Sequence, residues 1–420
     1  FAIEGGVNEF SLSIVPEVRV RDVIDSDDVS TYRGAAGGVT TARLLHGSAN
    51  CIGGQDAVIK LKYPARVADM LIADAPRGVK FALGENVKRT DGRFPNSRMG
   101  VEAVLIRAFS EAQAYRKRWY DYRQNPAGKS EPRRDLRLEA LADILDGQLH
   151  IHCHCYRADE ILMLLRVADR FGIKVKSLQH VLEGYKVAPE IASHGAWCSL
   201  FSDWWAYKIE AYEAIPYAAA LLHDAGAGVC LKSDSHELMR HMYQEAAKMI
   251  KYGGMSEIEA LRTITLNGAK QLGLEHRLGS IEVGKDADLV IFNGHPLNSF
   301  SRVETTIIDG EIYFERGGEW KPFAPAQVAP AKPVNQFLEL PVNPQGAYFL
   351  TEATIHRGDG STIESGGVLV LNGKIAAVVD LTKPQLDAAL TGHGFDPGGR
   401  AEALSVEEHL RLFEVLRQGP

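Results

Sequence analysis

Cysteine is scarce in this chain of 420 residues, which contains five of them: Cys51, Cys153, Cys155, Cys198 and Cys230. An odd number of cysteines without the spacing of a disulfide framework argues against a small disulfide-stapled protein. The length is instead sufficient for a large hydrophobic core and for more than one domain. We therefore expect a globular protein that does not depend on covalent crosslinks.

Long apolar runs and an excess of positive charge are also missing. No run reaches the length of about 20 residues that a membrane-spanning helix requires, and no signal peptide is visible. The formal net charge of −7 argues against a nucleic-acid partner. With 45% hydrophobic and 24% charged residues, the composition is that of a soluble globular protein. We expect neither nucleic acid nor a membrane as a partner, and the compartment and homo-oligomerisation stay open.

The stretch LHIHCHCYRADE at residues 149–160 is the feature around which the rest of the sequence is organised. Its three histidines, His150, His152 and His154, alternate with other residues. In a strand this period of two places all three side chains on one face and Cys153 and Cys155 on the other. Helical patterns flank the stretch on both sides, which predicts a short strand between two helices.

Strands and helices alternate over most of the first 270 or so residues, which predicts an α/β protein with a parallel sheet. Seven strands are expected, beginning near residues 38, 57, 78, 149, 174, 196 and 228. An open doubly wound sheet is one solution, but no G-x-G-x-x-G opens a helix, so its dinucleotide-binding version lacks support. A closed (β/α)8 TIM-like barrel is favoured, with one strand lying before residue 1.

Three polar residues come at the ends of expected strands: His154, His180 and Asp234. A barrel brings the carboxyl ends of its strands together around one mouth. Two imidazoles and a carboxylate suit Zn²⁺ or another borderline divalent ion. Taken singly, each has an ordinary alternative, since a strand-end histidine is often a core residue and Asp234 could cap the helix that follows. Their joint position favours a metal site.

Several motifs between residues 154 and 316 point to one family. They are HCYRADEI (154–161), QHVLEGYK (179–186), LKSDSHELMRHMYQEAAK (231–248), EALRTITLNGAKQLGL (259–274), RLGSIEVGKDADLVIFNGHPL (277–297) and VETTIIDGEIYFER (303–316). The motif at 277–297 contains the signature G-S-x-E-x-G-K-x-A-D-L at residues 279–289. In these motifs the chain resembles the amidohydrolase superfamily, nearest its imidazolonepropionase-like and dipeptidase-like branch.

This resemblance implies a deformed (β/α)8 barrel with one or two divalent metal ions, above all Zn²⁺. The implied reaction is hydrolysis of a carbon–nitrogen bond in a small-molecule amide substrate. His154 and His180 match the family's metal ligands, with His180 also catalytic, and Asp234 matches its metal-binding general base. A metal lowers the pKa of bound water, and a carboxylate beside that water can take its proton and pass it to the leaving amine.

Three residues near these motifs are candidate substrate contacts: Tyr156, Arg157 and His236. For Arg157 a structural ion pair is the alternative, and for His236 a solvent-facing position at a helix start. The aromatic run at residues 204–207 suits an apolar or aromatic substrate, or simply packs its own loop.

Many members of the superfamily carry a lysine or a glutamate that bridges two metals. The segment GVKFALGEN at residues 78–86 offers Lys80 and Glu85 for this role. Lys80 is the first choice, because an unmodified lysine inside a barrel is costly unless it is paired or neutralised. A Lys80 that faces the helices is the alternative.

One element of the family is not found. Its His-x-His pair at the end of the first barrel strand has no counterpart, and the chain begins with Phe1 rather than methionine, so we expect an N-terminally truncated amidohydrolase. The alternative is a catalytically incomplete fragment or a non-catalytic member that does not hold metal firmly. A metal-free isomerase or lyase is less favoured, because His154, His180 and Asp234 are retained.

We expect a barrel over residues 1–283, β-sandwich strands over 284–316, a Pro/Ala-rich linker over 317–346, further sandwich strands over 347–380 and a helical tail over 381–420. The strands of 347–380 resemble the start of a second amidohydrolase unit. Alternatively they fold back onto residues 286–316, which we favour because a short hairpin is marginally stable alone.

Overall fold

The computed structural model describes residues 7–90, 92–318, 347–356, 362–371 and 374–380, together with Thr391. The chain divides into two compact units, Phe1–Pro325 and Ala326–Pro420. The first unit thus includes both the expected barrel region, residues 1–283, and the expected sandwich strands, residues 284–316. Most of the expected linker and of the expected helical tail lies outside the described residues.

The helices of the described part are α1 (Val29–Ala36), α2 (Val67–Met70), α3 (Met99–Gln124), α4 (Leu136–Leu145), α5 (Ala158–Phe171), α6 (Ala188–His194), α7 (Ala218–Asp224), α8 (Met242–Gly253), α9 (Glu257–Ile264) and α10 (Leu266–Leu272). The strands of the first unit are β1 (Thr41–Leu44), β2 (Ile52–Gln55), β3 (Ala57–Lys60), β4 (Gly78–Ala82), β5 (His150–Cys155), β6 (Val175–His180), β7 (Trp197–Leu200), β8 (Gly228–Leu231), β9 (Leu289–Phe292), β10 (Val303–Ile308) and β11 (Glu311–Glu315). Those of the second unit are β12 (Ala347–His356), β13 (Thr362–Leu371) and β14 (Lys374–Asp380).

A six-stranded sheet with the order β2-β4-β5-β6-β7-β8 forms the centre of the first unit. The strands from β4 to β8 run parallel, and β2 pairs antiparallel with β4. The predicted α/β class with a parallel sheet is confirmed. In the described part β2 and β8 end the sheet and are not paired with each other, so the sheet is open there.

The prediction for the first strands was wrong in its pairing. β1 and β3 do not join the parallel sheet but form a separate antiparallel pair, in which Ala42 lies opposite Ile59. The residues Gly53 and Gly54 lie inside β2. A Cβ on Gly53 would come within 2.6 Å of the His46 ring. These glycines therefore permit a close approach of the strand to its neighbours, which is the other common use of glycine in a strand.

The helices cover the sheet through one continuous core. Phe81 of β4 stacks on Phe109 of α3 with ring centres 6.2 Å apart, and Ile151 packs in the same cluster as Leu164 of α5. Cys153 and Cys155 are fully buried in this cluster, as the alternation of the sequence predicts. In the described part no helix combines the length and apolar character needed to cross a membrane.

A small antiparallel sheet with the order β11-β10-β9 follows the last helix. The signature segment at residues 279–289 leads into it. Two aspartates of that segment, Asp286 and Asp288, bind the ammonium of Lys60 at 3.0 and 2.8 Å, and Asp309 completes the group at 2.9 Å. The signature thus joins β3 to the small sheet by ion pairs.

The second unit contains the strands expected over residues 347–380. They form an antiparallel sheet with the order β12-β13-β14, in which Tyr348 lies opposite Val370 and Leu369 opposite Ala377. That these strands fold back onto residues 286–316 stays a prediction.

Candidate functional site

Two histidines meet at the carboxyl ends of neighbouring parallel strands. The ring centres of His154 on β5 and His180 on β6 are 4.6 Å apart, with the planes at 73°. Both residues are buried, each with 2% of its surface exposed. Strand alternation alone would not bring the two rings together. The register partner of His180 is Cys155, whose side chain faces the helices, so a regular strand would direct His180 the same way. A left-handed φ of 69° at His180 breaks the alternation and accompanies the turn of its ring toward His154.

The backbone of His180 is therefore strained. A non-glycine residue in this region costs of the order of 1–3 kcal/mol, and such residues cluster at functional sites. Val181 continues the strain with a φ of 45°.

Each of these imidazoles has a ring nitrogen that no described residue contacts by a hydrogen bond. His154 Nε2 and His180 Nδ1 are buried and accept or donate no hydrogen bond within the described part of the chain. Burial, together with the charge of Lys80, lowers the pKa of His154 well below its usual value. Burial and Lys232 do the same to the pKa of His180. Both rings are neutral at pH 7, and a neutral imidazole nitrogen is a metal ligand or a proton acceptor.

Lys80 lies on the same side of the sheet as these histidines. It is opposite His152 in the register of β4 and β5, two residues before the pair formed by Ala82 and His154. Lys80 is buried, and its ammonium donates one hydrogen bond to the carbonyl of His46 at 3.2 Å. Burial lowers the pKa of Lys80, and the carboxylate of Asp234 opposes this shift. The structure thus gives Lys80 the interior position and not the helix-facing one.

Glu85, the second choice for a bridging ligand, is directed elsewhere. It lies in the short 3-10 turn Gly84–Val87, and its carboxylate pairs with Lys88. Hydrogen bonding to Lys88 lowers the pKa of Glu85, and 40% of its side chain is exposed.

Asp234 lies at the rim of the site. It follows β8 by three residues, with 59% of its side chain exposed, and its Oδ1 is 3.9 Å from the ammonium of Lys232. In the described part of the chain, no three histidines, cysteines, aspartates or glutamates are close enough to hold a metal ion together. The structure therefore brings His154, His180 and Lys80 together and keeps Asp234 farther out.

The three candidate substrate contacts differ in position. Tyr156 is buried, with its ring centre 4.6 Å from that of His154 and 5.2 Å from that of His180. Arg157 precedes α5 and is half-buried. His236 is exposed, 3.7 Å from Glu237. Only Tyr156 contacts the histidine pair.

His152, in the middle of the histidine stretch, belongs to a separate buried network. Its Nδ1 is 2.6 Å from the hydroxyl of Ser177, and its ring contacts Arg43. Arg43 is in turn 3.3 Å from Asp56. Its hydrogen bonds make His152 a structural residue below the site.

The loop after β7 contains the functional candidates that the sequence analysis missed. We call residues 201–212 the β7 loop. Lys208 of this loop lies over the ring of Tyr156, 4.3 Å from its centre, and the hydroxyls of Tyr156 and Tyr207 are 2.7 Å apart. Lys208 also pairs with Glu210 at 2.6 Å and donates to Asn86 Oδ1 at 3.2 Å.

The β7 loop is thereby fastened to the turn after β4. The carboxylate of Glu210 accepts a hydrogen bond from the backbone N–H of Glu85 at 3.1 Å, and Lys208 reaches Asn86 in the same turn. Because β5 and β6 lie between β4 and β7, the loop passes over the ends of the strands that carry both histidines. It covers the pair and shields it from water.

Lys232 is the second residue that the sequence analysis missed. It directly follows β8, and its ammonium lies 4.7 Å from the ring centre of Phe201, which in turn is 5.1 Å from the ring of His180. Burial lowers the pKa of Lys232 to about 8, and Asp234 limits this shift. Its place in the motif LKSDS, two residues before a predicted ligand, was the signal that could have identified it.

Comparison with known proteins assigns this arrangement to a family. The profile of the amidohydrolase family matches residues 134–313, which include His154, His180 and Asp234. A crystal structure of an amidohydrolase from Thermotoga maritima MSB8 is similar with a TM-score of 0.69 and 33% identity, over 74% of this chain and 81% of that one.

Two curated relatives extend the similarity. The chain is 31% identical to amidohydrolase tasK of Hapsidospora irregularis over 408 residues, which are 88% of this chain and 41% of the relative. It is 30% identical to an imidazolonepropionase of Thermoplasma volcanium over 190 residues, 43% of this chain and 45% of the relative. The chain therefore spans less than half of the length of either relative. The match to the solved amidohydrolase over four fifths of its chain, together with the family profile, shows that the chain belongs to the amidohydrolase family, a family of hydrolases that act on carbon–nitrogen bonds.

Proposed function

We propose that this chain carries the centre of a metal-dependent hydrolase that cleaves the carbon–nitrogen bond of a small-molecule amide. The observation that carries the proposal is the pair His154 and His180, neutral and buried, each with one ring nitrogen unpartnered among the described residues. A buried polar atom without a partner is costly, and a ligand that binds it removes this cost. We further propose that the open sheet is part of a (β/α)8 barrel, in which the carboxyl ends of the strands form the active site.

The two imidazoles fit a divalent metal, for which Zn²⁺ is the proposed ion. Neutral imidazole is a preferred ligand of Zn²⁺, and members of the family typically bind divalent metals. Lys80 is the proposed further donor, because its burial favours the uncharged amine, and Asp234 is proposed to approach from the rim. A bound ion would supply Lewis-acid activation of water and of the scissile carbonyl.

The residues of the chain itself account for the remaining requirements of the reaction. The exposed carboxylate of Asp234 can accept a proton from water and donate it to the leaving amine. The phenol of Tyr156 lies beside the histidine pair and can orient the substrate, and we propose that Arg157 and His236 contact more distant parts of it. The β7 loop excludes bulk water, which strengthens every electrostatic interaction beneath it.

A second candidate follows from the position of Asp234. Its exposed side chain does not complete a three-residue metal site within the described part. A catalytically incomplete member of the family would have these features, retaining the fold and two ligands without firm metal binding.

Elemental analysis of the 420-residue chain after dialysis against Zn²⁺ separates the two candidates. The hydrolase predicts about one or two ions per chain, as in metal-dependent amide hydrolysis, and release of amine from dipeptides or cyclic amides. His154→Asn and His180→Asn should abolish both, whereas His295→Asn, on an exposed residue after β9, should change neither. A chain without metal and without amine release would contradict the hydrolase and support the incomplete member.

A further inference from the structure

The side chain of Lys232 is largely covered by the protein, with 14% of it exposed. Its ammonium nevertheless donates no hydrogen bond to a residue of the described part. The nearest carboxylate, Asp234, is 3.9 Å away and faces solvent. A partly buried ammonium loses part of its hydration, and an anion that binds it replaces what is lost.

Two other lysines of the described part have several close partners. Lys60 is surrounded by three carboxylates at 2.8 to 3.0 Å, and Lys208 is held by Glu210 and Asn86. Lys232 differs from these two lysines, because none of its three N–H donors is used by a residue that the structure describes. Unused N–H donors beside the candidate site indicate that a ligand binds there.

The position of Lys232 relative to the histidine pair is fixed by the sheet. Its backbone N–H donates to the carbonyl of Leu200 at 3.0 Å, which continues the pairing of β7 and β8 to their carboxyl ends. Its ammonium and the ring of His180 both lie close to Phe201, 4.7 and 5.1 Å from the centre of its ring. Lys232 and His180 are thus neighbours at the carboxyl ends of the strands.

The side chains around Lys232 indicate which chemical group of a ligand it would bind. Phe201, whose ring the ammonium of Lys232 approaches to 4.7 Å, stacks on Trp204 with ring centres 4.4 Å apart. Positive charge attracts an anion, and stacked aromatic rings favour an apolar or aromatic group beside it.

We propose that Lys232 binds a carboxylate of the substrate, so that the chain acts on small amides that carry a carboxylate next to an apolar or aromatic group. This inference rests on the proposed function, whose site it shares, and adds the substrate class. Lys232 determines specificity by pairing with the carboxylate, while the amide bond lies toward His154 and His180.

The test uses two ligands of the same shape and different charge. N-acetylphenylalanine carries the carboxylate, and N-acetylphenylalaninamide replaces it by a neutral amide. Equilibrium binding to the 420-residue chain is measured by calorimetry for the wild type, Lys232→Met and Lys232→Arg. Lys285→Met is the control, because Lys285 is similarly enclosed, at 12% exposure, but pairs with Glu282 on the connection to the small sheet.

The wild type should bind the carboxylate about tenfold or more tightly than the amide, as expected for a hydrogen bond to a charged group. Lys232→Met should lose this preference while its affinity for the amide stays within about twofold. Lys232→Arg should keep most of the preference, since it keeps the charge, and Lys285→Met should behave as the wild type.

Three results would overturn the inference. They are equal binding of the two ligands by the wild type, an equal loss of affinity for both ligands in Lys232→Met, and no detectable binding of the carboxylate by the wild type at about 10 mM ligand. Thermal unfolding of Lys232→Met shows whether the variant is folded. Hydrolysis is followed separately on the same ligands. A carboxylate preference that depends on Lys232, without amine release, keeps this inference and contradicts the hydrolase, whereas amine release without such a preference overturns this inference alone.

Discussion

The ammonium of Lys60 lies 2.8 Å from Oδ1 of Asp288, and both side chains are buried, with 3% and 7% of their surfaces exposed. Asp288 belongs to the most specific motif of the sequence, and Lys60 ends β3, more than two hundred residues earlier. The same Asp288 oxygen accepts a hydrogen bond from the backbone N–H of Asp309 at 3.0 Å. The motif is therefore structural, since it attaches the small sheet to the body of the first unit.

Removing one member of this group should destabilise the first unit strongly. Lys60→Met leaves three carboxylates facing one another, and Asp288→Asn leaves the lysine with fewer charges to balance it. Breaking a buried pair on one side costs about 3–5 kcal/mol. Urea unfolding followed by circular dichroism measures this loss. The control is Asp69→Asn, which breaks the exposed pair with Arg66 and should leave the free energy of unfolding nearly unchanged, because solvent screens exposed charges. Equal effects of the two changes would contradict the structural role.

The stabilisation by Lys60 should also depend on pH. Burial opposes ionisation of Asp286, but hydrogen bonds from Arg277 and Lys60 outweigh it and lower its pKa. Burial likewise opposes ionisation of Asp309, and hydrogen bonds from Lys62 and Lys60 lower its pKa. For a carboxyl group with a lowered folded-state pKa, the stabilisation is present above the unfolded pKa of about 3.9 and is lost as the pH falls through the folded value.

The difference in unfolding free energy between the wild type and Lys60→Met should therefore be largest near neutral pH and shrink as the pH falls from about 5 to about 2. Urea unfolding of both proteins across this range measures the difference. A difference that grows toward acid would show that the carboxylates do not bind Lys60 as described.

Asp234 and His154 are predicted to hold the metal, although only His154 is buried. Alanine at either position should abolish metal retention, because two imidazoles alone bind a divalent ion weakly. Metal content is measured after dialysis. His236→Ala is the matched control for Asp234→Ala, since both are exposed residues of the same loop. Retention of metal by Asp234→Ala would remove Asp234 from the ligand set.

The β7 loop should become mobile when its attachments are removed. Lys208→Met breaks the contacts with Glu210 and Asn86, and Tyr207→Phe removes the hydrogen bond to Tyr156. Backbone amides of residues 203–212 should then exchange with deuterated solvent about tenfold faster, as expected when a contact of about 1.4 kcal/mol is lost from a locally opening segment. Tyr212→Phe, on an exposed side chain, is the control and should leave exchange unchanged.

The parallel strands were predictable because their determinants are local. The alternation HIHCHC separates the histidines from the cysteines on the two faces of β5, and Ser256 with Glu259 three residues later marks the start of α9, where the structure forms a capping box. The pairing of β1 with β3 was not predictable, because the same short apolar runs fit a parallel sheet and a separate hairpin-like pair.

The candidate site shows the same division. The sequence by itself determined the amidohydrolase family and the residue types at the strand ends, since both depend on short contiguous patterns. Only the tertiary structure decided that His180 turns toward His154, that Lys208 and Glu210 reach the turn after β4, and that Lys232 makes no hydrogen bond with the described residues. These relationships join residues far apart in the chain, and they depend on a left-handed φ and on long-range contacts that no local periodicity encodes.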